Sequence, residues 1–156
     1  MKEFFEKLCL YSICIDFPRD WELIIKNRHI NFNEGEVNLL GTDILIGIIW
    51  RKINDSSMTL EKYEEIILKN LRKKSKDLKI IKRDFIEICG HKGILERIEM
   101  KSFGIIKKKR KIDHTHLLLR DNDKRFIILY LSTLPELREK YSNIIQKMLS
   151  SIEIKS

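Results

Sequence analysis

The sequence predicts an α+β fold, an αβα sandwich in which helices flank a central antiparallel sheet. Residues 42–53 form an apolar, isoleucine-rich run of strand length, and residues 60–71 repeat apolar side chains at helical spacing. Four strand-like segments between residues 78 and 132 then precede a second amphipathic helix. Strands, a helix, an antiparallel meander and a helix in this order are typical of helices packed on the faces of one sheet.

The elements before residue 42 are predicted to be short. Residues 2–8 form an amphipathic opening, and residues 11–17 are predicted to be a strand that ends at Pro18, because proline cannot donate to a strand ladder. Two apolar pieces within residues 22–32 indicate a hairpin. The polar, glycine-containing residues 33–38 are predicted to be a turn or loop.

Residues 42–53 are predicted to be a central strand covered on both faces, since they are continuously apolar and too short for a typical helix. Thr59 is then a suitable N-cap for a helix that runs to about Ser75. The apolar stripe of this helix consists of Leu60, Tyr63, Ile67 and Leu71. The spacing of these four residues predicts that one face of the helix is buried.

The meander is predicted to contain three or four antiparallel strands within residues 78–88, 93–102, 111–120 and 125–132, with turns at "CGHKG" and "RDNDKR". In the second segment Ile94, Glu96, Ile98 and Met100 face one way, and Leu95, Arg97, Glu99 and Lys101 face the other. A closing helix is predicted with Thr133 as its N-cap and Pro135 in its first turn. Its buried face is predicted to contain Leu137, Tyr141, Ile144, Ile145, Met148 and Ile152.

Length and composition predict one domain over residues 1–156, with its core within about residues 11–154. The chain is 43% hydrophobic and 35% charged, with 6 Gly and 2 Pro, which excludes disordered, collagen-like and low-complexity classes. The odd number of cysteines, Cys9, Cys14 and Cys89, implies no disulfide framework, and we expect them to be small buried hydrophobic residues without chemistry. Trp21, Trp50, Phe85 and Tyr141 lie in apolar patterns and are expected in the core.

The apolar runs give no indication of export or membrane insertion. Residues 8–15 are a short run without a purely positive segment before it, and no stretch approaches the roughly 20 residues that a membrane span requires. We therefore expect no membrane association and a cytoplasmic location.

Three segments carry a resemblance to a known family. "YSICIDFPRDW" resembles the opening strand, proline and tryptophan of the PsbP-like superfamily, and "SMTLEKYEEIILKNL" is similar to that family's middle helix. "LYLSTLPELREKYSNIIQKMLSSIEI" looks like its closing strand and helix. The superfamily includes the extrinsic P subunit of photosystem II, a Ran-binding nuclear-transport factor and DcrB-type lipoproteins. The resemblance implies an αβα sandwich and a non-enzymatic binding or scaffolding role, and it transfers no functional residue.

Metal binding and hydrolysis find little support in the motifs. His114 and His116 alternate on a strand and so share a face, but a third ligand would have to come from a distant residue such as His91. The chain has no G-x-S-x-G elbow and no phosphate-binding glycine loop. Glu96 and Glu99 point to opposite faces, which disfavours paired acid–base work. We expect no catalysis, no metal and no cofactor.

Basic segments give the strongest functional candidate. The chain carries 31 Lys and Arg against 23 Asp and Glu, a formal charge of +8, and many of these cations lie in residues 69–83 and 107–111. The candidate polyanion-binding residues are Lys69, Arg72, Lys73, Lys74, Lys76, Lys107, Lys108, Lys109, Arg110 and Lys111. Converging cations would contact several phosphates, whereas the simpler interpretation is a solvated helix end and a protected sheet edge.

The position of the turn near residues 107–111 stays open in the sequence. A turn at "SFG" would place these cations along a strand, and a turn at "KKKRK" would place them at a hairpin tip. The sequence thus predicts a non-catalytic protein-interaction or accessory module with an unknown protein partner. The alternative is a sequence-independent nucleic-acid binder that uses the two basic segments. The oligomeric state cannot be predicted.

Overall fold

An antiparallel sheet of seven strands organises the chain in the computed structural model, which describes residues 4–25, 30–103, 109–121 and 125–154. Within these residues the strands are β1 (Phe5–Leu10), β2 (Ile13–Pro18), β3 (Glu22–Ile25), β4 (Glu34–Gly41), β5 (Ile44–Lys52), β6 (Lys79–Ile88), β7 (His91–Phe103), β8 (Lys109–Arg120), β9 (Arg125–Thr133) and β10 (Glu153–Ile154). The helices are α1 (Leu60–Lys74) and α2 (Arg138–Ser150). The large sheet has the order β3-β4-β5-β9-β8-β7-β6, so the predicted meander and central strand are confirmed.

A second, three-stranded sheet has the order β1-β2-β10. The opening predicted only as amphipathic is strand β1, which pairs with β2 so that Cys9 lies opposite Cys14. These two cysteines form a disulfide, and Cys89 is exposed in the β6–β7 turn. The expectation of no disulfide was therefore wrong, because cross-strand pairing is a relation that the sequence spacing does not reveal, while the expected burial is confirmed for Cys14.

The two faces of the large sheet have different covers. Helix α1 lies over one face, where Tyr63 packs against Phe126 and Ile128. Helix α2 and the small sheet share the other face, where Ile13 and Ile145 join the larger core cluster. The fold is α+β as predicted, but most of the described residues are in strands, and on one face the small sheet shares with α2 the place that the predicted sandwich assigned to helices.

The cap of α1 matches the prediction. The N–H of Lys62 donates to Thr59 Oγ1 at 3.2 Å, which satisfies one free donor of the first turn. The backbone N–H of Ser75 donates to the carbonyl of Leu71 at 2.9 Å and closes the helix.

Two local predictions were wrong. Residues 33–38 mostly belong to strand β4, where Gly35 lies beneath the Trp50 ring: a Cβ there would come within 2.3 Å of that ring. Thr133 is the last residue of β9 and donates its hydroxyl to the carbonyl of Asp43 at 2.8 Å, so it is no N-cap. A 3₁₀ turn, Pro135–Leu137, leads into α2 instead.

The β6–β7 hairpin turns at Cys89 and Gly90, within the predicted "CGHKG" turn. Their φ angles are +51° and +80°, the left-handed pair that a two-residue hairpin turn requires. Glycine adopts this conformation without steric cost.

A buried ion pair joins the two sheets. Arg125, which is 1% exposed, donates to Asp121 Oδ2 at 2.8 Å and to Ser12 Oγ at 2.7 Å. Its Nη1 donates to the carbonyl of Phe32 at 3.0 Å, and its guanidinium lies 3.9 Å from the centre of the Phe32 ring. Ser12 lies in the turn between β1 and β2, so this contact fixes the small sheet on the large one.

No helix in the described part of the chain is long and apolar enough to cross a bilayer.

Candidate functional sites

The first basic segment follows the C-terminal half of α1 and the turn after it. Its cations are solvent-exposed: Lys69, Arg72, Lys73, Lys74 and Lys76. Three of them fall in the last turn of α1, where positive charge is favourable beside the free carbonyl groups.

The second basic segment is only partly described. Lys107 and Lys108 lie outside the described residues, whereas Lys109 and Arg110 are the first residues of β8. Lys111 is exposed and its Nζ lies 3.5 Å from Glu99 Oε2. Strand β7 runs to Phe103 and β8 begins at Lys109, so Lys109 to Lys111 lie along a strand. The position of the turn stays a prediction, because residues 104–108 lie outside the described residues.

The ends of the two segments meet. The backbone N–H of Lys101 donates to the hydroxyl of Ser75 at 3.1 Å, and Lys101 lies opposite Lys111 across β7 and β8. An open depression of about 380 Å³ is lined there by Asp77, Lys79, Glu99, Met100, Lys101 and Lys111. One surface thus carries lysines that follow α1 and lysines of β7 and β8, together with the carboxylates of Asp77 and Glu99.

A buried polar row lies beneath α1, formed by Ser132, His114, His116, Glu96, Glu64 and Arg83. His114 Nδ1 lies 2.9 Å from Ser132 Oγ, and its Nε2 lies 3.2 Å from His116 Nδ1. His116 Nε2 lies 3.2 Å from Glu96 Oε1, and both of these side chains are at most 1% exposed. The prediction that the two histidines share a face is confirmed.

Helix α1 completes this row. Its Glu64 accepts two hydrogen bonds from Arg83 of β6, at 2.7 and 2.8 Å. If Glu96 were ionised, its Oε2 would lack a hydrogen-bond partner among the described residues. A protonated Glu96 donates to the Glu64 carboxylate instead, and the row then extends to Arg83.

The pKa shifts of the row agree with that protonation state. Burial raises the pKa of Glu96; the hydrogen bond with His116 opposes this effect and the one with Glu64 reinforces it. Hydrogen bonds from Arg83 lower the pKa of Glu64, against the effect of its burial. Burial, together with the charge of His116, lowers the pKa of His114 to about 3.

The row does not form a metal site. His114 Nε2 and His116 Nδ1 face each other and are engaged in one mutual hydrogen bond. His91 lies in the β6–β7 hairpin, with its Nδ1 3.0 Å from the carbonyl of Arg120. Among the described residues no group of three or more His, Cys, Asp or Glu has a metal-binding arrangement. Glu99 points away from Glu96, as strand alternation predicts.

The outer edge of β6 carries exposed hydrophobic side chains. Phe85 is 65% exposed, Ile81 49% and Ile80 39%. The expectation that Phe85 lies in the core was wrong, while Trp50 and Tyr141 are buried as predicted and Trp21 packs partly buried against the core. The guanidinium of Arg83 lies 4.6 Å from the centre of the Phe85 ring. Two hydrogen bonds to Glu64 fix the position of the Arg83 guanidinium, and the Phe85 ring packs against that cation.

Strand alternation predicted the shared face of the histidines, but their partners were not predicted. Glu64 follows Leu60 by four residues and so lies at the border of the predicted stripe of α1, where it is buried, and the packing of α1 on the sheet brings it to Arg83. The exposure of Phe85 follows from the place of β6 at the end of the sheet, which strand order alone decides.

No protein-family model matches the chain, and no curated protein matches it. Several solved structures do match it. Cyanobacterial PsbP (CyanoP) from Synechocystis sp. aligns over 99% of this chain and 94% of its own, with a TM-score of 0.72 and 11% identity.

Two further structures are similar. The Ran-binding protein Mog1p of Saccharomyces cerevisiae aligns over 98% of this chain and 96% of its own, with a TM-score of 0.61 and 11% identity. PA94 from Pseudomonas aeruginosa, described as a putative regulator, aligns over 91% of both chains, with a TM-score of 0.59 and 16% identity. The chain has the PsbP/Mog1-like fold.

Proposed function

We propose that this chain is a non-catalytic protein-interaction or accessory module that binds a protein partner along the outer edge of β6. The observation that carries the proposal is the exposure of Ile80, Ile81 and Phe85 on one edge strand. Exposed aromatic and aliphatic side chains beside fixed cations are typical of the central part of protein interfaces.

Strand β6 has further properties of a docking edge. It ends the large sheet, and among the described residues no strand pairs with its outer side. Such an edge offers backbone donors and acceptors to an incoming extended segment. A bulge between Ile80 and Lys82 and the exposed charge of Lys82 limit indiscriminate edge-to-edge pairing, which favours a specific partner over aggregation.

The comparisons support a binding role at the level of the fold. Mog1p is named for binding Ran, so a chain of this fold can serve protein recognition. We extend to this chain the class of role alone.

Site-specific photocrosslinking in the source cells tests the proposal. A photoreactive phenylalanine analogue at position 85 should give one discrete adduct with another protein, because that ring is exposed on the docking edge. The same analogue at Phe4, which is 70% exposed in the small-sheet region, is the matched control and should not give that adduct. Absence of an adduct at position 85, or the same adduct from both positions, would show that β6 is not the interface.

Sequence-independent nucleic-acid binding is a second candidate, favoured by the meeting of the two basic segments at Ser75, Lys101 and Lys111. We expect random DNA to bind with a log–log salt slope near −0.9 for each phosphate neutralised. Replacing residues 107–111 by Gln should flatten that slope, whereas replacing Lys140 and Lys147 of α2 should leave it unchanged. Fluorescence anisotropy at two salt concentrations measures both. Lack of binding at low salt would eliminate this candidate.

A further inference from the structure

A cleft separates α2 from the edge of the large sheet. Its volume is about 370 Å³, within the range of roughly 300 to 1,000 Å³ of small-molecule sites. The cleft is lined by Lys82, Asp84, Leu95, Arg97, Thr115, Arg138, Ser142, Ile145, Gln146 and Leu149. Strands β6, β7 and β8 form one wall, and three turns of α2 form the other.

Two arginines stand at its mouth around one buried carboxylate. Arg97 binds Asp113 through Nε and Nη2, with the shortest contact at 2.6 Å. Arg138 donates from Nη1 to Thr115 Oγ1 at 2.7 Å, and the same nitrogen lies 3.5 Å from Asp113 Oδ1. Within the described part of the chain, no hydrogen bond engages Nη1 of Arg97 or Nη2 of Arg138, so each guanidinium keeps donors for a further acceptor.

The charges around the cleft do not cancel. The lining holds three cations, Lys82, Arg97 and Arg138, and one carboxylate, Asp84. Asp113 adds a second carboxylate beside the arginines, and Glu99, which also acts on Arg97, is paired with Lys111. Asp84 lies 3.5 Å from Lys82, and Asp113 serves both arginines. One positive charge is therefore left over.

Desolvation makes this surplus charge costly without an anion. Burial lowers the pKa of Arg138; Asp113 opposes that effect and the nearby Arg97 guanidinium adds to it. An anion in the cleft would compensate both the desolvation and the repulsion between the two guanidinium groups.

The floor of the cleft is apolar and continues into the core. Leu95, Ile145 and Leu149 line both the cleft and a void of about 20 Å³ beneath α2, and Thr115 lines both as well. The void is enclosed otherwise by aliphatic side chains: Ile15, Ile46, Leu117, Leu129, Leu131 and Met148. A cationic mouth thus opens onto an apolar interior.

We propose that this cleft binds a small organic acid with an apolar tail, its carboxylate held by Arg97 and Arg138 and its tail lying on Leu95, Ile145 and Leu149. Guanidinium groups recognise carboxylates through paired hydrogen bonds, and the single surplus charge matches a monoanion. Because the void beneath these residues measures only about 20 Å³, the tail lies in the cleft itself and is limited to a short hydrocarbon. The cleft lies on the opposite face of the sheet from Arg83 and Glu64, and although Lys82 and Asp84 of β6 belong to its lining, the binding of a small acid is measured separately from docking along β6.

Titration with three probes tests the chemistry. Hexanoate should bind and shift the backbone NMR signals of α2 and of β7 and β8 around the cleft. Acetate has the charged head alone, and hexanamide has a tail and a neutral head. Each should bind at least about tenfold more weakly than hexanoate, since each loses one of the two contacts. Equal binding of all three probes, or hexanoate shifts confined to other surfaces, would overturn the proposal.

Variants of the cleft sharpen the test. Arg97→Gln should weaken hexanoate binding about tenfold, because one charge-assisted contact is lost. Ser142→Trp fills the cleft from a partly exposed position on α2, where the hydroxyl donates only to the Glu139 carbonyl, and should abolish binding in a folded protein. Lys140→Gln removes a cation from the same helix outside the cleft and should leave binding unchanged. Wild-type affinity in folded Ser142→Trp would disprove the assignment even if Arg97→Gln failed to fold.

Discussion

His114, His116 and Glu96 lie beneath α1, where water cannot compete for their hydrogen bonds. A histidine ring nitrogen accepts a hydrogen bond only when it carries no proton, and burial favours the neutral imidazole of His114. The lowered pKa of His114 and the raised pKa of Glu96 follow from the same cause, since burial disfavours charge in both. The two residues consequently respond to acid in opposite directions.

His114 should make the fold less stable in acid. A histidine of the unfolded chain titrates near 6.5, whereas the pKa of folded His114 is about 3, so between these values the unfolded state binds an additional proton. The free energy of unfolding should therefore fall with decreasing pH, by up to about 1.4 kcal/mol per pH unit from this residue.

Urea unfolding of wild type and His114→Gln between pH 7.5 and 4.5 measures this contribution as a difference in slope. Glu96 opposes it within the same window and is present in both proteins, so it largely cancels in that difference. Identical slopes would show that His114 titrates normally in the fold.

The alternation of strand residues was sufficient to predict that His114 and His116 share a face. Alternation could not predict the contact with Glu64, because that carboxylate belongs to α1. The packing of α1 on the sheet depends on residues that are far apart in the sequence. Nor could alternation predict that Asp113, on the opposite face, bridges Arg97 and Arg138, since Arg138 comes from the start of α2. Residue types and periodicity predict directions within one element, and partners from other elements depend on packing.

At the scale of elements, α1 and the central strand were predictable because each has a strong local pattern. Helix α1 has an N-cap, an apolar stripe and basic residues in its last turn. Strand β4 lacked such a pattern, since Glu34, Gly35 and Asn38 are ordinary loop residues. Its place between β3 and β5, with the Trp50 ring over Gly35, makes it a strand.

Thr59→Ala should destabilise the protein by about 1 kcal/mol, because the N–H of Lys62 loses its acceptor. Thr59→Ser keeps a hydroxyl at the same position and is the matched control, with little expected change. Urea midpoints of the two variants measure the difference. Equal midpoints would show that the cap does not contribute to the stability of α1.

At the scale of the whole molecule, the Arg125 contact holds the two sheets together. Ser12 and Arg125 are 113 positions apart in the chain, and their hydrogen bond joins the small sheet to the start of β9. The predicted sandwich contained no such contact, because no local pattern indicates that β1 and β10 form a separate sheet. The layer assigned to helices alone consequently contains the small sheet beside α2.

Arg125→Met should cost about 3 to 5 kcal/mol of unfolding free energy, since it removes the guanidinium that lies 2.7 Å from the buried carboxylate of Asp121. Arg19→Met is the control: Arg19 is 71% exposed, it pairs with Glu6 at 3.3 Å, and its loss should cost less than about 1 kcal/mol. Calorimetric and urea unfolding compare the two variants. Similar losses from both would show that burial adds nothing to the Arg125 contact.

The order β1-β2-β10 has a consequence for synthesis. Strand β2 pairs on one side with β1, which leaves the ribosome before it, and on the other with Glu153 and Ile154, which leave at the end of this sequence. Until those last residues emerge, β2 keeps an open edge of buried-type side chains, a state that attracts chaperones or other nascent chains. Translation must thus pass residue 154 before the small sheet can close, so we expect this layer to be completed later than the pairing of β1 with β2.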